Sequence, residues 1–156
     1  MKVGADSLEL DGAVAGFPGW KIVEVAGIHR ERFLASQVTS DLTALAEGES
    51  QPSALLDRTG RIQAFFFLRK NAESMDLLIP EAVVEHCVGQ LESHIIADDV
   101  TIRPRHVGPM RLALGPAAVA MADDLGCEGS FPVAGWGGRG LVTWGEDEIS
   151  LPELKL

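Results

Sequence analysis

The stretch SALLDRTGRIQAFFFL, residues 53–68, reads as two apolar runs, Ser53 to Leu56 and Ile62 to Leu68, joined by Asp57-Arg58-Thr59-Gly60-Arg61. A polar, glycine-containing joint of this kind is the composition of a hairpin connection, so the runs read as paired strands. The second run does not alternate. Ala64-Phe65-Phe66-Phe67-Leu68 is apolar throughout, which predicts a strand covered on both faces. Working outward, Trp20 to Val25 is β-branched and closes at Gly27, a strand and turn. Ile28 to Val38 carries Leu34 and Val38 one helical step apart, and Leu42 and Leu45 extend the stripe. A short helix broken near Thr39-Ser40 is expected there.

Met75 to Ile79 is a further strand, and Pro80 sits where the first turn of a helix accepts proline. Val83, Val84, Cys87, Val88, Leu91 and Ile95 then follow helical spacing, with Glu81, Glu85 and Glu92 on the wet side. Val100 to Arg103 and Met110 to Leu114 alternate as strands around a Gly108-Pro109 turn. A short Ala-rich helix is expected from Gly115-Pro116 to about Leu125, and Phe131 to Ala134 and Leu141 to Trp144 flank a glycine cluster as two last strands. This order, with hairpins in place of regular strand–helix–strand repeats, predicts an α+β fold of antiparallel sheets with packed helices.

The composition suits one soluble globular unit: 156 residues, 46% hydrophobic and 23% charged. A folded chain of this size removes about 69% of its surface from water, so its core needs no metal or disulfide. The net charge is −10, with 13 basic and 23 acidic side chains, and both the first 50 and the last 36 residues are acidic. Such a surface repels polyanions and argues against direct nucleic-acid binding. Cys87 and Cys127 form no CxxC pair, Met1 to Leu10 lacks a signal-like apolar run, and no stretch approaches the ~20 apolar residues of a membrane span. A cytoplasmic protein with no membrane partner is the expectation.

Candidate chemistry is sparse. Gly135 to Gly140 matches G-x-G-x-x-G, but the residues after it read as a strand where a pyrophosphate site needs a helix N-terminus. His29, His86, His94 and His106 have no companions at metal-ligand spacing, so no metal site is expected, and Cys87 belongs to a packed helical stripe. Arg103, Arg105 and Arg111, with His106, form a basic concentration expected on outward positions of neighbouring strands. Such a patch would either dock an anion or, the favoured reading, discourage edge pairing. By composition Trp20 is a core or rim aromatic.

Taken together, Trp20, Gly27, Phe33-Leu34, Gln37 to Leu42, Leu55-Leu56-Asp57, Gly60-Arg61-Ile62, Asp98 to Ile102 and Arg111 to Pro116 form an ordered pattern. It resembles the N-terminal part of the YgfZ-type folate-binding proteins, relatives of the aminomethyltransferase T-protein of glycine cleavage. The resemblance implies a tetrahydrofolate or derivative as ligand, with iron–sulfur cluster maintenance and tRNA modification as the setting. It also implies that Trp20 lies against the folate, where an indole offers a flat pterin a stacking face. Two departures stand out. The strand after Gly60-Arg61, where aminomethyltransferases carry an aspartate, has Phe65 and no carboxylate, and the reactive-cysteine motif of the YgfZ branch is absent. No catalytic residue is therefore expected. Residues 1–156 are expected to form one folate-binding-like unit, with 28–105 an inserted α+β module and the family's C-terminal barrel absent. A ligand-free, self-associating module that forms a homo-oligomer is the alternative, and a folate-dependent aminomethyltransferase the third reading.

Overall fold

Phe66 and Phe67, neighbours in the non-alternating run, are both buried, and they point into different cores. The computed structural model describes residues 13–115, 129–134 and 139–145. The described chain runs β1 (Ala13–Gly16), β2 (Trp20–Ala26), α1 (Arg30–Ala35), β3 (Ser50–Leu56), β4 (Ile62–Lys70) and β5 (Ser74–Pro80). It continues through α2 (Glu81–Ser93), β6 (Thr101–Arg105), β7 (Met110–Leu114), β8 (Gly129–Ala134) and β9 (Arg139–Trp144). Two antiparallel sheets result, a five-stranded one ordered β3-β4-β5-β2-β6 and a four-stranded one ordered β1-β7-β9-β8.

The five-stranded sheet is the middle layer. On one face Val23, Val25, Phe66, Leu68, Leu77 and Ile79 meet Phe33 and Leu34 of α1 and Cys87 and Leu91 of α2. On the other, Ile22, Phe67 and Leu78 meet Met110, Phe131, Val142 and Trp144 of the four-stranded sheet. Because side chains alternate along a strand, β4 needs large apolar residues at successive positions to fill both interfaces. Each fully buried side chain of this size contributes about 1.5–3 kcal/mol. The α+β architecture expected from the sequence is therefore the one observed. Among the described residues no helix is long and apolar enough to cross a membrane.

The hairpin at 57–61 is built by its aspartate. Asp57 Oδ1 accepts hydrogen bonds from the Thr59 N–H at 2.8 Å, the Thr59 hydroxyl at 2.7 Å and the Arg61 N–H at 3.0 Å. The Thr59 hydroxyl first, and then the backbone donors, hold the Asp57 carboxyl below its ordinary range. Gly60 supplies the left-handed φ of +82° that the turn requires. At the other end of the sheet Gly27, φ +109°, lies so close to the Asp99 carbonyl that a Cβ would collide with backbone.

Several elements differ from expectation. The helix after Gly27 is α1 alone; Leu42 and Leu45 are buried but lie in turns. Past Val38 the chain turns to the edge of β3, where the Thr39 N–H donates to the Ala54 carbonyl at 3.0 Å and the Ser40 hydroxyl to Ser53 Oγ at 2.8 Å. Partners on the sheet replace intrahelical ones, so the helix ends. Strand β3 starts at Ser50 and includes Pro52, which an edge strand accepts. Strand β1 was not expected; it is short and small-residued, and its partner β7 is distant in sequence. The Ala-rich helix expected after Gly115 lies outside the described residues.

The arginine expectation is corrected. Arg103 and Arg105 lie on β6 of one sheet and Arg111 on β7 of the other, because the Gly108-Pro109 connection carries the chain between sheets. Arg103 and Arg105 are moreover neutralised from within. The register aligns Ser50, Arg69, Asp76, Glu24 and Arg103 in one row across all five strands. Asp76 Oδ2 accepts from Arg69 at 2.9 Å, Asn71 at 3.0 Å and Arg105 at 3.3 Å, while Glu24 pairs with Arg103 at 2.9 Å. Arg69 also donates to the Ser130 carbonyl and lies over the Phe131 ring, 4.9 Å from its centroid, and the Ser50 hydroxyl donates to the Pro132 carbonyl. The row thus clamps β8 onto the five-stranded sheet. Asp76 is 0% exposed, so deleting its carboxylate strands the guanidinium of Arg69 in the seam. Asp76→Ala is expected to lower unfolding free energy by about 3 kcal/mol, read from urea denaturation, and an effect below about 1 kcal/mol would contradict the clamp.

Candidate functional site

The described residues form a pocket of about 220 Å³, open to solvent, where the two sheets part, lined by residues 17–21, Glu81 and residues 107–110. Two backbone hydrogen bonds frame it. The Phe17 N–H donates to the Met110 carbonyl at 2.9 Å, pinning the β1–β2 turn to β7, and the Glu81 N–H donates to the Gly19 carbonyl at 2.8 Å, pinning the start of α2 to the same turn. The turn is thereby held against both sheets. This volume lies below the roughly 300 Å³ at which sites for whole small molecules begin, so the pocket suits one ring system with the remainder of a ligand outside.

Trp20 is half-buried at the first position of β2, beside Pro80 in the register. Its indole stacks on Phe17 with centroids 5.0 Å apart and planes at 19°, and leans on Phe67 at 6.3 Å. Phe17 therefore already covers one face of the indole. Phe65, at the strand position where the resemblance expects an aspartate, is 44% exposed and meets Phe67 edge-on at 5.6 Å.

Two of the lining residues form an ion pair, Lys21 Nζ to Glu81 Oε1 at 3.5 Å, with the side chains 39% and 60% exposed; alternation along β2 puts Lys21 on the helix-facing side of the sheet and Trp20 on the seam side. Sequence reasoning missed both residues. Helical periodicity correctly placed Glu81 on the wet side of α2, and the signal it lacked was that β1–β2 folds back over the first turn of that helix.

The histidines do not converge. His29 Nδ1 accepts the Asp99 N–H at 2.8 Å, His86 hydrogen-bonds to Gln63 Oε1 at 2.9 Å, and His94 and His106 are exposed. Among the described residues no three His, Cys, Asp or Glu side chains gather for a metal. Strand β9 follows the glycine cluster. Cys87 is buried in the helix-facing core, and burial pushes its thiol up to about 11.

No family model matches the chain. Among solved structures it is similar to the crystal structure of glycine cleavage system aminomethyltransferase T from Bartonella henselae, with a TM-score of 0.72 and 19% identity over 86% of this chain and 42% of that one. The fold is that of aminomethyltransferase T. An uncharacterized protein of Haemophilus influenzae is 28% identical over 83 residues, which are 53% of this chain and 30% of that protein. The match thus covers less than half of either protein. Within the T-protein fold the motif residues act as fasteners: Asp57 and Gly60 build a hairpin, Thr39 and Ser40 close an edge, and the Asp99 carbonyl accepts the His29 N–H at 3.2 Å.

The thiol assignment has a direct check. With Cys127→Ser, Cys87 is expected to react with a thiol-specific disulfide reagent near pH 8 about a hundredfold more slowly than an unperturbed thiol, following the lost thiolate fraction. Unfolding in denaturant should restore the ordinary rate, and a fast reaction in the folded chain would contradict the burial.

Proposed function

We propose that this chain is a tetrahydrofolate-binding protein of the YgfZ type that holds the pteridine ring in the Trp20 pocket and does not itself turn the folate over. The observation that carries the reading is an aromatic-walled pocket of about 220 Å³ on a chain with the T-protein fold. A pteridine is flat and polar-edged. The Trp20–Phe17 stack offers it an aromatic wall, Val107, Pro109 and Met110 offer apolar ones, and solvent stays open to the rest of the folate. Against turnover stands Phe65, an apolar ring that neither takes nor gives a proton. The setting we propose for such a binder, iron–sulfur cluster maintenance and tRNA modification, is supported by the sequence resemblance alone.

An open pocket leaves much of the ligand in water, so affinity is expected at about 0.1–1 mM. Calorimetric titration with 5-formyltetrahydrofolate should saturate, and Trp20→Ala, shown by circular dichroism to be folded, should weaken binding at least tenfold, or about 1.4 kcal/mol. No heat at millimolar ligand would overturn the reading.

A second reading, self-association, draws on one observation. Leu56, Ile62 and Phe65, at the ends of β3 and β4, are 36%, 67% and 44% exposed. Three large apolar side chains on one hairpin are the start of a contact surface. On this reading the sedimentation coefficient rises with protein concentration, and Phe65→Ser abolishes the rise; on the folate-binding reading the chain sediments as a monomer and Trp20→Ala is the damaging change.

A further inference from the structure

Among the described residues, three buried side-chain polar atoms have no hydrogen-bond partner: Arg30 Nε, Arg69 Nε and Asp76 Oδ1. Two of them belong to one ion pair. Arg69 Nη2 donates to Asp76 Oδ2 at 2.9 Å, with the side chains 15% and 0% exposed, while the adjoining donor Nε and the adjoining acceptor Oδ1 stay unmet. A guanidinium presents Nε–H and one Nη–H side by side, and that fork matches the two oxygens of a carboxylate. Half of such a fork is made here. The rest of the guanidinium serves β8 instead: Arg69 Nη1 donates to the Ser130 carbonyl, and the group lies over the Phe131 ring, 4.9 Å from its centroid.

A buried donor and a buried acceptor left unmet are costly, and so is parting Arg69 from Ser130, so two arrangements of the same side chain compete. We propose that Arg69 is a two-position latch on the seam between the sheets. In the closed position, the one observed, it holds Ser130 and makes a single bond to Asp76. In the open position the guanidinium turns about its Nη2–Oδ2 bond until Nε–H donates to Oδ1, which completes the fork and takes Nη1 off the Ser130 carbonyl. Both orphaned atoms are then satisfied. Asp76 stays anchored throughout, because Asn71 and Arg105 also donate to Oδ2. Among the described residues β8 is left with the Ser50–Pro132 hydrogen bond and its apolar packing as ties to the five-stranded sheet. Phe131 and Val133 remain in the seam, so the movement of β8 is small and the open form is a minor state, exchanging in microseconds to milliseconds. The latch thereby sets how tightly this edge of the second sheet is held to the first, and the pocket lies where those same two sheets part.

Nitrogen relaxation dispersion on the isotope-labelled full chain, with no ligand added, reads the exchange directly. The Phe131 N–H, which adjoins the Ser130 carbonyl, and the Arg69 Nε–H are expected to report one process with a shared rate, absent from the β7 amides of Met110 to Leu114. Two variants remove the open position alone. Arg69→Lys keeps a cation that can donate to Asp76 and to the Ser130 carbonyl but has no fork to complete. Asp76→Asn keeps an oxygen for Nη2, Asn71 and Arg105 but puts a donor where Nε–H needs an acceptor. In both, shown by circular dichroism to be folded, the Phe131 dispersion is expected to shrink by about fivefold or more, because the open state loses the bond that stabilises it. A clamp with one position predicts the opposite sign, since weakening it raises the motion of β8. Flat profiles at Phe131 and at Arg69 Nε–H in the unsubstituted chain, or dispersion at Phe131 that persists or grows in the two variants, would overturn the latch.

Discussion

A sheet covered on both faces is the constraint from which the rest of this structure follows. The five-stranded sheet sends Phe66 into the helix-facing core and Phe67 into the seam with the second sheet, and neither interface closes without the other. Strands β1 and β7, which bracket the five-stranded sheet in the chain, pair to start the four-stranded layer. The two sheets are thus tied covalently through β1–β2 and β6–β7. Those same two connections line the pocket. The candidate site is a consequence of how one sheet is laid on the other.

The seam is divided in character. One end is apolar, with Ile22, Phe67 and Leu78 against Phe131, Val142 and Trp144; the adjoining register row is charged, with Arg69 and Asp76 at its middle. Desolvating the charges costs free energy that close hydrogen bonds must offset, and three donors converge on Asp76 Oδ2 to do so. Such a row also sets register, because a slip of one residue would turn Asp76 and Arg69 toward the helix-facing core. The aromatic string Phe65, Phe67, Trp20 and Phe17 lies on the apolar side of this divide and leads from the seam into the pocket.

How much of this was legible in the sequence depended on range. The unbroken run at 64–68 announced a doubly covered strand, which holds for Phe66 to Leu68 but not for Phe65, 44% exposed toward the turn, and the DRTG turn announced its hairpin, because each is decided by neighbouring residues. The α+β class followed from the order of such local signals. Long-range pairings were not legible: β1 has no distinguishing composition, and the arginines of β6 and β7 looked like one patch until the Gly108-Pro109 connection was seen to change sheets. At the site, Trp20 was legible through a resemblance, whereas Lys21 and Glu81 were invisible to periodicity, which marks them as solvent-facing and cannot show that the β1–β2 turn is pinned beside them. The buried Asp76 was hidden for the same reason: within Met75 to Ile79 it reads as an interruption, and only the register with Arg69 explains it.

The most direct test of the account is a map of amide chemical-shift changes in the isotope-labelled chain as 5-formyltetrahydrofolate is added. If the ring occupies the pocket between the sheets, the largest shifts fall on Gly19, Trp20, Lys21, Glu81, Val107 and Gly108. Shifts centred on the Leu56–Phe65 hairpin, or none at saturating ligand, would contradict it.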